Sequence, residues 1–166
     1  FNPLAQAAIR WTQRQLTAET RAFLHGLPER IERDGFLAVH GSVRDPIEEY
    51  IFDPSTAAES FRVGSFRLCA VGHTHVPGVF AQRQDGVSAL RLTPEQPLPL
   101  ETDTRYILNA GSVGQPRDGD PRAAYLWLEE DHARLIRIAY PLERTQEKMH
   151  AAGLPAALAE RLAYGR

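Results

Sequence analysis

Three histidines stand where this chain could hold a metal ion. His40 lies in Val39-His40-Gly41-Ser42, and His73 and His75 lie in Gly72-His73-Thr74-His75. Each group follows an apolar run, Phe36-Leu37-Ala38-Val39 in the first case and Leu68-Cys69-Ala70-Val71 in the second. Half of the chain's six histidines sit in these two places. Neutral imidazole is a common metal ligand, and a strand that runs into glycine and histidine presents it at a sheet edge. On extended backbone, residues i and i+2 share a face, so the spacing predicts that His73 and His75 converge on one region. Gly72, which lacks a Cβ, lets the backbone approach a crowded site. The chemistry these residues point to is metal-assisted hydrolysis.

Two nucleophiles compete with that reading. Ser42 beside His40 could be activated by a histidine base, but no Gly-x-Ser-x-Gly surrounds it. It reads instead as a turn serine bonding the local backbone. Cys69 lies within an apolar run and reads as a buried small hydrophobe. His25, His132 and His150 read as helix or turn residues and receive no role.

The bulk composition bounds the rest. A chain of 166 residues suits one domain. With 43% hydrophobic and 24% charged residues it reads as soluble and globular. A net charge of −2 argues against a dedicated nucleic-acid surface. Of the 19 basic residues only Lys148 is lysine; coding bias is the plain reading, and the arginines are scattered. A single cysteine permits no intrachain disulfide and makes a cytoplasmic setting the default. No apolar stretch is long enough to span a membrane, and no signal peptide opens the chain. Because the first residue is Phe1, the chain reads as processed, trimmed or cut from a longer gene.

The elements that must position the histidines follow from pattern. Residues 3–16 predict an amphipathic helix, with Pro3 in its first turn. Thr17 caps a second helix that ends at Gly26. Residues 30–33 and 36–39 predict a hairpin around Asp34-Gly35. Asp45 and Pro46 start a short helix over 45–50, and 55–61 predicts another. Residues 66–72 read as a strand buried on both faces. A second hairpin joins 79–83 to 87–92 through Gln84-Asp85-Gly86. Residues 93–104 read as a loop, and 106–108 as a strand running into Asn109. A final hairpin pairs 123–128 with 133–140, and helices over 142–151 and 155–164 close the chain. About seven strands result, with short connections that predict antiparallel pairing in a mixed α and β class.

With a third element added, the histidine motifs resemble a known family. Val39-His40-Gly41-Ser42, Val71-Gly72-His73-Thr74-His75 and the stretch Asn109-Ala110-Gly111-Ser112-Val113-Gly114-Gln115-Pro116-Arg117-Asp118 are similar in type and order to the calcineurin-like metallophosphoesterase superfamily. The likeness is nearest to its small bacterial phosphodiesterase branch and covers most of the chain. Trp11 and Leu16 before Thr17 resemble the helix after the family's Asn-His motif. The resemblance implies an α+β fold, a layered α/β/β/α metallophosphoesterase sandwich. Residues 1–166 would be the C-terminal part of a single such domain, lacking its N-terminal portion. It implies hydrolysis of a small phosphodiester or phosphomonoester by water activated between two divalent ions. The ions would be manganese, zinc, iron or nickel.

By resemblance, His40 and His73 bind one metal and His75 the other. Asn109 and Arg117 have two readings. In one they meet the substrate phosphate, with Arg117 forking onto it. In the other Gly111 and Gly114 set a turn that Asn109 and Ser112 tie together. The family's Asp-x-His, Gly-Asp-x-x-Asp and Gly-Asn-His do not occur in these residues. The bridging aspartate and the proton donor are therefore expected before Phe1, and this chain alone is expected to be inactive or nearly so. Asp45, Glu48 and Asp118 are carboxylates that could stand in, but read as ordinary surface charges. Removal of the front strands predicts exposed edges, poor stability and self-association through a sheet edge. Two alternatives stay open: a non-catalytic protein-binding scaffold of the same fold, and a mononuclear zinc hydrolase using all three histidines.

Overall fold

Residues 3–166 are described by a computed structural model. Helices α1 (Pro3–Gln15) and α2 (Ala18–His25) come first, with Thr17 accepting from the Thr20 N–H as cap of the second. Strands β1 (Arg30–Arg33) and β2 (Phe36–Val39) form the expected hairpin, with Asp34 and Gly35 both at positive φ. Helix α3 (Pro54–Val63) follows, then β3 (Leu68–Val71) and the hairpin of β4 (Pro77–Arg83) and β5 (Gly86–Leu90). Strands β6 (Pro97–Pro99), β7 (Arg105–Ala110), β8 (Ala123–Leu128) and β9 (His132–Ile138) complete the sheets. Helices α4 (Leu142–Ala151) and α5 (Ala156–Glu160) and a 3-10 turn over Arg161–Tyr164 end the chain.

The strands form two sheets, ordered β1-β2-β3-β7-β4-β5 and β6-β9-β8. This mixed architecture bears out the α+β class, but the pairing departs from the purely antiparallel expectation. β2 pairs with β3 in parallel, and β3 with β7 in parallel. A parallel pair needs a crossover rather than a tight turn, and α3 provides it between β2 and β3. β7 then enters between β3 and the hairpin instead of following in order. Two smaller expectations also fail. Residues 93–104 are not wholly loop: Pro97–Pro99 forms β6 at the edge of the second sheet, a position that tolerates proline. Residues 45–50 form turns rather than a helix. Asp45 Oδ1 accepts from the N–H groups of Ile47 and Glu48 as a cap would, but Gly41 N–H takes the Pro46 carbonyl and draws the segment back on itself.

Alternation along β7 explains the layers. Ile107 points into one core with Leu37, Val39, Cys69, Val71 and Phe80, closed by Ala57 and Phe61 of α3. Tyr106 and Leu108 point the other way, joining Val79, Ala81 and Leu100 against Ala133 of the second sheet. The order is therefore helix, sheet, sheet. β3 alternates between buried and half-buried residues rather than being buried on both faces. Asp53 caps α3, accepting from Thr56 N at 2.9 Å. Arg105 closes its far end, donating to the carbonyls of Phe61 and Phe66 at 2.9 and 2.8 Å and stacking over the Phe66 ring at 4.7 Å. By contrast α1 and α2 contribute no buried residue, and β1 is exposed along its whole length.

Candidate metal centre

Parallel pairing brings the three motifs together. β2, β3 and β7 run side by side in one direction, in register Ala38 with Ala70 and Val71 with Asn109. Their carboxyl ends therefore release His40, the Gly72–His75 segment and the Asn109 loop at one edge, where open parallel sheets place their sites. A backbone bond continues the alignment past the strand ends: Gly72 N–H donates to the His40 carbonyl at 2.9 Å. Purely antiparallel neighbours would have sent these ends in opposite directions.

The histidines do not converge by strand alternation as their spacing predicts. β3 ends at Val71, and His73 and His75 both have positive φ, 62° and 60°. Non-glycine residues rarely adopt this region, and such conformations persist only where surrounding contacts fix them. Here the contacts are explicit. Thr74 N–H bonds the Gly72 carbonyl at 2.7 Å, and Thr74 Oγ1 accepts from Val76 N at 3.1 Å. Asn109 Nδ2 donates to the Gly72 carbonyl at 2.7 Å and to Thr74 Oγ1 at 2.9 Å, while its Oδ1 accepts from Gly111 N. Asn109 is only 3% exposed; both ends of its amide are spent in positioning the histidine turn. Gly72 is not the crowded glycine, since a Cβ there would meet His40 atoms at an ordinary 3.6 and 3.7 Å. The crowded one is Gly41, where a Cβ would stand 2.7 Å from the Asp45 carbonyl oxygen.

His40 Nε2 and His73 Nδ1 face each other at 2.8 Å. His73 Nε2 lies 3.2 Å from the Glu48 carbonyl oxygen, which can only accept, so the proton belongs there and Nδ1 keeps its lone pair. His75 is held alike: Nδ1 donates to the Gln115 carbonyl at 2.8 Å, leaving a lone pair on Nε2. A backbone carbonyl that fixes the tautomer and ring of an imidazole is the usual support of a ligating histidine. Burial, and then the neighbouring His73, push the His40 pKa down, against the upward pull of Glu48. Burial also lowers His75, with Arg117, His40 and His73 adding to it against the Gln115 carbonyl. Both shifts favour the neutral form that binds metal. Imidazole donors of this kind suit a borderline divalent ion such as zinc, iron or nickel. Among the described residues no three histidine, cysteine or carboxylate side chains come close enough to hold one ion. The described residues thus give the mononuclear three-histidine alternative no support.

The remaining candidates find plain partners. Ser42 is fully buried, accepting from the N–H groups of Arg44 and Asp45, as a turn serine does. Cys69 is fully buried, and desolvation pushes its thiol up to about 12. Asp118 pairs with Arg137 and Asp45 caps its own turn, although Asp45 stays within electrostatic reach of His73, as Glu48 does of His40. Arg117 is exposed, and its N–H donates to the His75 carbonyl at 3.2 Å. Tyr50 has no signal in the sequence, yet it stacks on His73 at 3.8 Å between centroids, with Phe52 at 5.6 Å on Tyr50. The turns that replace the expected 45–50 helix put it there.

No protein-family model matches the chain. A solved metallophosphoesterase from Sphaerobacter thermophilus is 42% identical, with a TM-score of 0.89 over 99% of this chain and 70% of that one. The uncharacterized protein MJ0912 of Methanocaldococcus jannaschii is 35% identical over 173 residues, covering all of this chain and 68% of the relative. The hypothetical protein PH1004 of Pyrococcus horikoshii is 18% identical with a TM-score of 0.77, which is a likeness of fold. A two-sheet fold with histidines at the ends of parallel strands, matched at this identity and coverage, defines the class. The chain belongs to the metallophosphoesterase superfamily.

Proposed function

We propose that this chain supplies the histidine side of a two-metal phosphoesterase centre. His40 and His73 would hold one ion, and His75 the other. The observation that carries this is the pairing: two ring nitrogens 2.8 Å apart on His40 and His73, and His75 braced separately by Gln115. A pair of divalent ions supplies activated water for attack at phosphorus and offsets charge on the phosphoryl oxygens. The chain's own residues orient the site. The Glu48 and Gln115 carbonyls fix the tautomers of His73 and His75, Asn109 holds the turn between them, and the exposed Arg117 stands beside His75 for a phosphate oxygen. The bridging carboxylate and the proton donor to the leaving group would come from residues outside this chain, with the substrate a small phosphodiester or phosphomonoester.

The test is hydrolysis of bis-p-nitrophenyl phosphate by the full-length gene product with added manganese, nickel or zinc, measured beside metal content. Turnover is expected with at least one ion, and His73→Ala and His75→Ala should each lower both metal content and rate. Absence of turnover, with metal content unchanged in both variants, would sink the proposal.

A further inference from the structure

The Arg117 guanidinium stands beside His75, and that of Arg161 stands beside Arg117. Arg117 is two residues past Gln115, whose carbonyl holds the His75 ring. Arg161 comes from the far end of the chain, at the start of the last helical turn. They meet across the Gln115 side-chain amide. One end of that amide lies 2.9, 2.9 and 3.0 Å from Nη2, Nε and Nη1 of Arg161. The other end is 3.3 Å from Nη2 of Arg117. An amide has a single acceptor atom, so its oxygen serves Arg161 while Arg117 faces the amine. Arg161 thus takes the one acceptor, and the Arg117 fork is left facing a donor.

The charge balance is as uneven as the hydrogen bonding. Among the described residues neither Arg117 nor Arg161 is ion-paired with a carboxylate, whereas Arg44, Arg83, Arg122 and Arg137 all are. Burial and the charge of Arg117 lower the pKa of Arg161, and Arg117 also acts on His75. Like charges held side by side with unfilled donors are unfavourable until an anion fills them, and guanidinium is the side chain best matched to phosphate oxygens.

We propose that Arg117 and Arg161, bridged by Gln115, form an anion subsite that takes a second phosphate of the substrate. The favoured esters then carry a diphosphate or longer phosphate chain, with one phosphoryl group at the histidines and the next on the two arginines. This role in turnover rests on the phosphoesterase reading above, whereas anion binding by the pair needs no metal.

Titration calorimetry of inorganic pyrophosphate into the full chain, with EDTA present, tests the subsite without turnover. Pyrophosphate should bind more tightly than orthophosphate. Arg117→Met and Arg161→Met should each weaken it about tenfold, the scale of one lost charged hydrogen bond. Arg144→Met, exposed on α4, should change nothing. Arg161→Lys, which keeps the charge but not the fork, should fall between. If Arg161→Met does not fold, Arg117→Met and Arg161→Lys decide. No pyrophosphate binding, or binding indifferent to these substitutions, overturns the subsite. Turnover of bis-p-nitrophenyl phosphate without arginine-dependent pyrophosphate binding would leave the phosphoesterase reading standing and remove the subsite. Pyrophosphate binding without any turnover would do the reverse.

Discussion

Asn109 shows how much of this site depends on one neutral side chain. Its amine donors hold the Gly72 carbonyl and Thr74 Oγ1, and its oxygen holds Gly111 N–H. The two histidines on either side of Thr74 sit at positive φ, a conformation that the chain would leave without such restraint. Asn109 is thus a positioning residue, and its loss should act on metal binding. Asn109→Asp keeps the shape but removes the amine donors. Metal affinity should fall roughly 10–100-fold, as when outer-shell partners of metal ligands are lost, and Asn109→Ala should fall as far. Equilibrium dialysis against zinc checks this; an Asn109→Asp protein with wild-type affinity would show that the turn holds itself.

At the scale of elements, the site is a consequence of three parallel strands and the helix that permits them. α3 is the crossover between β2 and β3, and Asp53 is its N-terminal cap. The Ser55 hydroxyl and the Thr56 N–H, bonded to the Asp53 carboxylate, hold its pKa at about 2, against 3.8 for the free side chain. A depressed carboxyl pKa stabilises the fold above the unfolded value, and that contribution is lost as pH falls through the folded value. The window is therefore about pH 4 down to about pH 2. The urea midpoint should fall across it, and Asp53→Ala should start lower and fall less. An Asp53→Ala protein with the same acid dependence as wild type would remove Asp53 from the account.

At the scale of the molecule, packing is uneven. Two cores back the six-stranded sheet, while α1, α2 and β1 lie outside them. Phe23 is 65% exposed and Ile31 48%, and β1 is an edge strand with no buried residue. Unpaired edge groups beside exposed apolar side chains favour association. The sedimentation coefficient should rise with concentration, and Ile31→Lys on β1 should suppress the rise. A wild-type chain that stays monomeric at high concentration would show that these surfaces are inert. Among the described residues no helix is long and apolar enough to cross a membrane.

By itself the sequence identified the histidines, the Asn109–Asp118 loop, the hairpins and both caps of α2, because these are local: a glycine after a strand, Thr17 before a helix, Asp34-Gly35 between two strands. It also contained the family likeness, which the 42% identical metallophosphoesterase shows. Tertiary structure decided how the motifs meet. Strand direction is set by which partners bury which face, so the parallel β2-β3-β7 order lay beyond any local pattern. The positive-φ turn at His73 and His75 is imposed by Asn109, whose bond to Thr74 between them spans 35 residues of sequence. Tyr50 against His73 and Arg161 beside Arg117 are long-range contacts of the same kind. Residue type gave the chemistry available; only packing between distant segments determined which of those groups share a site.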